Sequence, residues 1–405
     1  MSFQQGLSGL NAAARSLDVI GHNIANANTT GMKSSRAEFA EIYASSAGGI
    51  GGTNVGLGVE VGTVSQQFSQ GTLTITGNDL DVAINGGGFF QVKSTDGSTA
   101  YTRAGNFKLD KEGNIITNNG AAVMGYPTDT KGVRQSFDTQ PLRLPTGSPI
   151  PAKQTTKMSA EITLDATAVV ASTATPPTPL STYGTSLTAF DPQGLEVPVG
   201  LYFQKTANNT WNVYTSVNGS DPTLSTPFQV NFNTDGSLNT ATSTIPPLTL
   251  ASPNNAAQTF TAQLDLSKMT QVNSRFAVSD LAQDGYTSGQ LTGLKIEDSG
   301  IITASYSNGQ TQAAGQVALV NFRNAQGLSP TGAGYWKETA SSGQPVRGAP
   351  GEGTFGQLRS GALEESNVDL TAELVNMMTT QRSYQANAQT IKTQDQVLQT
   401  LVNLR

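Results

Sequence analysis

Apolar positions at the two ends of the chain recur every three or four residues, which is the spacing of one narrow face of an α-helix. Near the start, the positions that follow this spacing are Phe3, Leu7, Leu10, Ala14, Leu17, Gly21 and Ile24. Near the end, they are Leu370, Leu374, Met377, Gln381, Tyr384, Ala388, Ile391, Asp395, Leu398 and Val402. The pattern predicts a helix within residues 1–31 and another within residues 365–405. We call the apolar side chains of these two sets, without Gly21, the terminal stripes.

Residues that end and begin helices flank both segments. Asn26 and Gly31 follow the first stripe and predict the end of its helix. Before the second stripe, Ser366 and Asp369 have the spacing of a capping box, which predicts that Ser366 caps the helix. Asp369 and Glu373 also place negative charge near the helix start, which the helix dipole favours.

The long middle of the chain has the alternating pattern of β-strands rather than the period of a helix. Leu80, Val82 and Ile84 alternate with other residues, and the glycines of residues 86–88 predict a turn directly after them. Residues 197–203 show a further strand pattern. The predicted fold class is mixed and mostly β, with paired, coiled-coil-like terminal helices and two nested all-β domains.

The predicted domain order is nested, because the last strands return to the domain that the first strands began. Residues 32–70 are predicted to form a Gly-rich connector, and residues 71–145 together with 284–360 a first β domain. Residues 146–283 form the predicted second β domain, whose start follows from the prolines around it.

Thin apolar stripes at both ends predict that the two helices pair with each other, because a β-rich middle offers no matching groove. The pair is either parallel or antiparallel. Small and apolar residues would then remain on other faces for further copies of the chain, namely Ala12, Ala13, Ala25, Ala386 and Val397. From the stripes alone, an intramolecular hairpin without any oligomer is an equal alternative.

Composition and charge narrow the function classes. Charged residues are 13% of the chain, the formal net charge is -6, and cysteine is absent. Nucleic acid and anionic membranes are therefore poor partners, and disulfides, thiolate nucleophiles and cysteine-based metal sites are excluded. No basic residue precedes Arg15 and no window approaches the ~20 apolar residues of a membrane span, which predicts neither a Sec-type signal nor an anchor.

Few residues offer catalytic chemistry. His22 is the only histidine, so one copy forms neither a histidine-based triad nor a histidine metal cluster. The glycines of residues 86–88 lack the Lys-Ser or Lys-Thr of a phosphate-binding loop, and Asp110 with Glu112 follows no calcium-loop pattern. We predict no enzyme activity, no cofactor and no metal. The rival class is a secreted enzyme or glycan-binding protein on the same scaffold.

Longer motifs at both ends resemble the terminal signatures of bacterial flagellar rod and hook proteins. Residues 10–36 resemble the N-terminal signature, except for Met32 where the family often has an aromatic residue, and residues 366–388 resemble the C-terminal one. The signature positions are Asn23, Ile24, Ala25, Asn26, Thr30 and Gly31, and then Gln381, Arg382, Tyr384, Ala386 and Asn387. Resemblance to the first β domain of this family covers residues 80–90, 101–107 and 123–126.

The resemblance implies a structural subunit that polymerises into the flagellar hook, a curved tube that acts as a universal joint and transmits motor torque from rod to filament. In such a tube the terminal helices form the inner layer, with the terminal stripes as self-assembly contacts. The first β domain forms the middle layer and the second the outer layer. Distal rod subunits are similar at their ends but shorter, so residues 146–283 favour the hook, with the distal rod as the alternative.

The resemblance also implies a set of partners and a route to the cell exterior. The chain is expected to leave the cell unfolded through the flagellar type III export apparatus, without a cleaved signal peptide. The implied partners are many copies of itself, the flagellar rod at the proximal end, and hook cap and hook–filament junction proteins at the distal end. Neither nucleic acid binding nor membrane insertion is expected.

Overall fold

The computed structural model describes residues 2–42, 58–145, 149–172 and 179–403. In this part of the chain, the α-helices are α1, Ser2–Ala25, and α2, Leu370–Asn403. The residues between them form strands and turns, with short 3-10 helices at Leu180–Tyr183, Pro222–Leu224 and Ala325–Gly327. The predicted fold class, mostly β with a helix at each end, is confirmed.

The first helix ends where the predicted stop signals lie. The Asn26 side chain donates from Nδ2 to the carbonyl oxygen of His22 at 2.9 Å. Gly31 has a φ of 70°, which is left-handed, and a Cβ at this position would overlap the backbone of Ala104. Because only glycine combines this conformation with such a close approach, the chain turns here at little cost.

Asp369, rather than Ser366, caps α2. The Asp369 carboxylate accepts a hydrogen bond from Thr371 N at 2.9 Å, which satisfies a free N–H group of the first turn. Ser366 Oγ instead accepts from Val368 N at 3.3 Å, outside the helix. The predicted capping box is wrong, because the helix begins at Leu370 and its cap is the residue directly before it.

A β-hairpin follows α1 in the region predicted as a connector. Strands β1, Ser35–Ile42, and β2, Gly58–Gln66, pair antiparallel with a bulge between Glu38 and Phe39. Of the predicted connector, residues 43–57 lie outside the described residues. The β1 sequence is rich in Ala and Glu, which are depleted in strands, so its pairing with β2 decides its structure.

Strands β3–β10 form the first part of a large β region. They are Leu73–Ile75, Val82–Asn85, Phe89–Lys93, Thr99–Thr102, Lys108–Leu109, Ile115–Ile116, Ala122–Tyr126 and Gln140–Pro141. β5 pairs antiparallel with both β6 and β9, and these three strands lie at the centre of their sheet. The apolar residues of β5 and β9 are buried, as expected for central strands.

Strands β11–β19 form two further sheets that share one core. They are Lys157–Asp165, Gly184–Phe190, Glu196–Ala207, Thr210–Val217, Phe228–Asn231, Leu248–Ala251, Thr259–Asp265, Thr270–Val272 and Ala277–Gln283. One sheet has the order β12-β13-β14-β15, and the other has the order β16-β17-β11-β18 with β19 beside β11. Trp211 lies in this core and donates from Nε1 to Gln271 Oε1 at 3.0 Å, which connects the two sheets.

Strands β20–β28 return to the first β region. They are Leu291–Ile296, Ile301–Tyr306, Thr311–Val317, Leu319–Asn321, Ser329–Gly332, Tyr335–Lys337, Val346–Gly348, Gln357–Ser360 and Ala362–Glu364. β22 pairs with β9, β23 with β5 and β25 with β6. β27 pairs with β4 and β28 with β3. The later strands thus complete sheets that the earlier strands began, and the two β regions are nested along the chain.

The chain divides into two compact units. The first consists of Met1–Gly147, Gly293–Ser305 and Thr311–Arg405, and the second of Ser148–Thr292 and Tyr306–Gln310. Residues 284–292 and Tyr306–Gln310, which the sequence placed in the first β domain, therefore lie in the second unit. We refer to the strands of the first unit other than β1 and β2 as the first β unit, and to the other unit as the second β unit.

One hairpin turn recurs in both units. In residues 110–114, Asp110 N donates to Asn114 O and Gly113 N donates to Asp110 O, both at 3.1 Å. The fourth residue is a glycine with positive φ, as a type I turn followed by a bulge requires. The same bonds close the turns at residues 94–98, 117–121, 129–133, 191–195, 233–237, 297–301 and 306–310. Many glycines of the chain therefore mark the reversals between strands.

Candidate self-assembly surface

The helices α1 and α2 pack antiparallel through their smallest residues. A Cβ on Gly6 would lie 3.1 Å from Ile391 Cγ1, and a Cβ on Gly9 would lie 2.8 Å from Asn387 Nδ2. Near the other end of α1, Asn23 Nδ2 donates to the Glu373 carboxylate at 3.1 Å. The order of these contacts along α2 is the reverse of their order along α1, so the orientation left open by the sequence is antiparallel.

The packed face of α1 has its own period of seven residues. We call it the small-residue face, and its members are Gly6, Gly9, Ala13, Ser16, Ile20 and Asn23. All of them are buried or half-buried. The α2 residues that it meets include Glu373, Asn387 and Ile391. The contact between the helices is therefore made by small and polar residues together with Ile391.

The terminal stripes lie largely outside this contact, although Ile391, one of their members, packs against Gly6. Their exposed members are Phe3, Leu7, Leu370, Leu374, Tyr384 and Leu398. Their half-buried members are Leu10, Ala14, Leu17, Ile24, Met377, Ala388 and Ile391. Phe3 is 44% exposed and Leu374 is 51% exposed. Val402 lies in α2, but its side chain is outside the described residues.

The structure corrects the prediction of which face would remain free. Ala12 and Ala13, expected to be available to other copies, are buried. Ala25, Ala386 and Val397 are exposed, as expected. Axial distances between packed helices range over about 8–10 Å with the size of the contacting side chains, so Gly and Ala allow the closest approach. A seven-residue apolar period indicates that one face of a helix packs against another element. It does not show whether that element belongs to the same copy or to a neighbouring copy.

Large apolar side chains beside the stripe are exposed as well. They are Val375, Met378 and Val397. Exposed apolar residues thus recur from Leu370 to Leu398 along a helix of 34 residues. Exposed apolar residues that recur in this way along one helix make it a candidate interaction surface.

The family-signature residues divide among three places. Asn23 and Asn387 lie in the contact between the helices. Ile24 and Ala25 end α1, and Asn26, Thr30 and Gly31 lie in the turn that follows. Exposed on α2 are Gln381, Arg382, Tyr384 and Ala386. Only part of the signature therefore belongs to the exposed surface, and the rest holds the terminal segments together.

A buried charge cluster lies between the two terminal segments and the β strands, where Lys33 follows α1 and Glu364 precedes α2 along the chain. The Glu364 carboxylate, at the end of β28, lies 2.6 Å from Lys33 Nζ and 3.2 Å from Arg103 Nη1. It also accepts a hydrogen bond from Gly71 N at 3.0 Å. The side chains of Lys33 and Glu364 are 0% exposed and that of Arg103 is 5% exposed. We call these three charged residues the Glu364 cluster, in which one carboxylate faces two cations away from water.

Backbone carbonyl groups complete the surroundings of the two cations. Lys33 Nζ donates to Ser69 O at 2.7 Å, and Arg103 Nη2 donates to Gly86 O at 3.0 Å. Burial lowers the pKa of Lys33 and the pKa of Arg103, while the charge of Glu364 opposes both shifts. Both cations therefore depend on this one carboxylate for compensation.

Two asparagines bind the helix ends to the hairpin. Asn23 donates to Ser35 O at 2.8 Å and accepts from Ser35 N at 2.9 Å. Asn367, shortly before α2, accepts from Ser34 N at 2.7 Å and donates to Gln67 O at 2.7 Å. Each amide side chain pairs with backbone groups as a neighbouring strand would. Both terminal segments are thereby held to β1 and the end of β2.

The Glu364 cluster and Asn367 are the functional residues that reasoning from the sequence missed. Lys33, Arg103 and Asn367 lie within the motifs on which the family resemblance rests. The available signal was that these motifs contain charged residues although only 13% of the chain is charged. Charged residues are rarely buried unless they are paired. Lys33 and Glu364 are 331 positions apart in the chain, so no local pattern could pair them.

The described residues were searched for a metal site and for a membrane-spanning helix. Among residues 2–42, 58–145, 149–172 and 179–403, no group of three or more His, Cys, Asp or Glu side chains could hold a metal ion. His22 is exposed near the end of α1. Neither described helix is long and apolar enough to cross a membrane.

Models of protein families match most of the chain. Residues 3–33 match the flagella basal body rod protein model, and residues 359–404 match the flagellar basal body rod FlgEFG protein C-terminal model. Residues 83–172 match the flagellar hook protein FlgE/F/G D1 domain, and residues 163–286 match the flagellar basal body protein FlaE D2 domain. Together with the fold, these matches define the class as a structural axial protein of the bacterial flagellum.

Curated relatives match the chain from end to end. The chain is 43% identical to the flagellar hook protein FlgE of Escherichia coli (strain K12), over 100% of both chains. It is equally 43% identical to FlgE of Salmonella typhimurium (strain LT2), over 100% of both, and 33% identical to FlgE of Treponema pallidum (strain Nichols), over 100% of this chain and 99% of that one. The chain therefore belongs to the flagellar hook protein FlgE family.

A solved structure supports the fold. The crystal structure of Helicobacter pylori flagellar hook protein FlgE2 is similar, with a TM-score of 0.54 and 16% sequence identity. The similarity covers 72% of this chain and 100% of that chain.

Proposed function

We propose that this chain polymerises into the flagellar hook through the terminal stripes of α1 and α2. Because its full-length relatives are hook proteins, the chain is a structural subunit of the hook. The proposed role of the stripes rests on the exposure of their large side chains. Phe3, Leu7, Leu370 and Leu374 are exposed on a helix pair whose own contact is already made by other residues.

Burial of the stripes between copies would supply the free energy of association. Fully burying a Leu-sized or Phe-sized side chain contributes about 1.5–3 kcal/mol relative to leaving it in water. The exposed side chains on each copy are large enough for several such contributions. In a helical polymer each copy has several neighbours, so partial burial at each contact adds up along the tube.

The exposure of the stripes also argues against the alternative of an intramolecular helix hairpin that takes no part in an oligomer. A pair of that kind would place its largest apolar residues between the helices, as a two-stranded coiled coil does. Here the small-residue face occupies that position, and Leu374 points elsewhere. The arrangement fits a pair built to be surrounded by other pairs.

We assign the remaining parts of the tube by the same proposal. The terminal segments, residues 1–31 and 365–405, form the inner layer, the first β unit the middle layer and the second β unit the outer layer. The tube acts as a universal joint between rod and filament, outside the cell. The proposed partners are the rod, the hook cap, the hook–filament junction proteins and the type III export apparatus, which would pass the chain without cleaving a signal peptide.

The alternatives are a distal rod subunit and an enzyme. Full-length relatives and the match of residues 163–286 to a D2 domain favour the hook over the rod. The hook family is a structural family, and we propose that this chain has no enzymatic activity. Incubation of the chain with peptidoglycan tests that statement, since release of soluble fragments would contradict it.

Electron microscopy of the purified chain beside a version limited to residues 32–364 tests the proposed function. We expect curved tubes from the full chain when fragments of existing hook are added as nuclei. The shortened version, which keeps Lys33 and Glu364, should stay monomeric and folded. Straight rigid polymers would support the rod alternative, and a full chain that never extends the nuclei would contradict polymerisation.

A further inference from the structure

The recurring hairpin turns differ in which side chain accepts a hydrogen bond from the N–H group of their fifth residue. In one group the acceptor is the first residue, as in the turn of Asp129, which binds Val133 N at 2.8 Å. In the other group it is the third residue, as in the turn of Asp235, which binds Ser237 N at 2.9 Å. The N–H group is a single donor, so an acceptor at the first residue leaves the third side chain without this bond.

Asparagine is the third residue of two of these turns, and glycine follows it in both. In residues 306–310, Asn308 Oδ1 accepts from Gln310 N at 3.1 Å, and Asn308 Nδ2 donates to Thr287 O at 2.6 Å. A Cβ on Gly289 would lie 2.6 Å from Asn308 Cγ, so the amide group is also closely packed. The Asn308 side chain is therefore held at both of its polar atoms.

The other asparagine, Asn119, lacks these restraints. In residues 117–121, Ala121 N donates to Thr117 Oγ1 at 3.2 Å, so this N–H group is not available to Asn119 Oδ1. Thr117 Oγ1 also lies 2.6 Å from Tyr335 Oη, a hydrogen bond that fixes its position. Asn119 is exposed, and within the described part of the chain no hydrogen bond holds its side chain.

An unrestrained asparagine side chain that precedes glycine reacts with its own backbone. The glycine nitrogen attacks the side-chain Cγ, and the new C–N bond closes a five-membered cyclic imide. The side-chain nitrogen leaves as ammonia and takes the proton that the glycine nitrogen loses. Water then opens one of the two C–N bonds of the imide, which gives aspartate or isoaspartate. Glycine favours the attack, because no Cβ crowds its nitrogen.

We propose that Asn119 is a site of spontaneous deamidation in the folded chain and that Asn308 is protected from it. The turn accommodates an aspartate product, since Asp96 and Asp235 occupy the same position of their turns. The product adds a negative charge to an exposed turn between strands of the first β unit, and isoaspartate also lengthens the backbone there. The inference does not depend on the proposed polymerisation, because it concerns a turn within one copy.

Mass spectrometry of the unpolymerised full-length chain measures the reaction at both sites. Samples kept at pH 8 are digested with trypsin, which places Asn119 in the peptide 112–131 and Asn308 in the peptide 296–323. Two hydrogen bonds must break before Asn308 reacts, so we expect deamidation to be about tenfold faster at Asn119. In guanidinium chloride the two sites should react at similar rates, because both precede glycine.

Thr117→Val tests the cause of the difference. Without the hydroxyl, Ala121 N is free to donate to Asn119 Oδ1, so we expect slower deamidation at Asn119 and an unchanged rate at Asn308. Tyr335→Phe is the matched control, since it removes the other partner of the hydroxyl but keeps the bond from Ala121 N. It should leave both rates unchanged. Circular dichroism verifies that each variant is folded.

Two results would overturn the proposal. One is a folded parent in which Asn119 reacts no faster than Asn308. The other is a folded Thr117→Val in which Asn119 reacts as fast as in the parent. If Thr117→Val does not fold, the two rates in the parent, compared with those in guanidinium chloride, decide alone.

Discussion

The second β unit and the terminal helix pair bury opposite kinds of residue. In the second β unit, Trp211, Val199 and Phe203 are fully buried, and polar residues cover the outside. In the helix pair, Gly6 and Asn23 are buried while Leu374 is exposed. The first arrangement buries large apolar side chains within one copy, whereas the second leaves them to be buried by neighbouring copies. Stability and assembly should therefore respond to different substitutions.

The largest effect on stability is expected from Trp211→Ala. The substitution removes the centre of the core, the hydrogen bond to Gln271 and an edge contact with Tyr183. We expect a loss of about 3–5 kcal/mol in the unfolding free energy of the second β unit. Urea unfolding followed by circular dichroism measures it. Leu224→Ala in the same unit is the control, since Leu224 is 84% exposed, and equal losses for both variants would contradict the described core.

A smaller loss, dependent on pH, is expected from Asp284→Asn in the same unit. Burial would raise the pKa of the Asp284 carboxyl, but hydrogen bonds from Lys157 N, from Thr156 and from Lys153 outweigh it and hold the pKa well below its usual range. The carboxylate therefore contributes stability that is present above the unfolded pKa of 3.8 and is lost as pH falls through the folded pKa.

The measurement compares urea unfolding of the parent and of Asp284→Asn between pH 7 and pH 2. At neutral pH we expect the variant to be less stable by about 1.5–3 kcal/mol, the usual contribution of hydrogen bonds to a charged group. The difference should shrink towards low pH. A difference that stays constant with pH would contradict the role of the ionised carboxylate.

Substitutions on the small-residue face should weaken the helix pair without affecting the sheets. Gly9→Val places methyl groups where Asn387 now lies, and overpacking of this kind costs about 1–3 kcal/mol. Faster amide hydrogen exchange in α1 reports the change. Gly21→Val is the matched control, because a Cβ on Gly21 has no neighbour within 4 Å. Equal effects of the two valines would contradict the packing described for α1.

The smallest effect on the single copy is expected from Leu374→Asp. Leu374 is exposed and belongs to the terminal stripe rather than to the helix contact. Substitutions at such positions usually change stability by no more than about 0.5 kcal/mol. Thermal unfolding of the unpolymerised chain should therefore be nearly unchanged. A strong destabilisation would mean that Leu374 holds the monomer together.

Much of this fold could be predicted because it depends on local patterns. The two helices follow from their apolar period, and the stop near Asn26 and Gly31 is a local signal. Strand β1 was not predicted, since its Ala and Glu residues become a strand only through β2. The helix cap was placed at Ser366 instead of Asp369 because two capping residues lie close together there.

The candidate site was less predictable, since two periods of seven residues overlap on α1. One runs through Leu10 and Leu17, and the other through Gly6, Ala13 and Ile20. Both periods are present in the sequence, but a search for apolar positions selects the one with the larger side chains. Which of the two faces packs against α2 depends on how closely the two helices approach each other. The Glu364 cluster is further beyond local reasoning, because its members come from three distant segments.

Polymerisation of Leu374→Asp tests the central claim most directly. The variant, the parent and the control Gln389→Asp, which places the same charge at another exposed position of α2, are added to hook fragments and followed by sedimentation and electron microscopy. A charge buried between copies without a partner is strongly unfavourable. We predict tubes from the parent and from Gln389→Asp, and none from Leu374→Asp. Tubes of normal length from Leu374→Asp would contradict assembly through the terminal stripes.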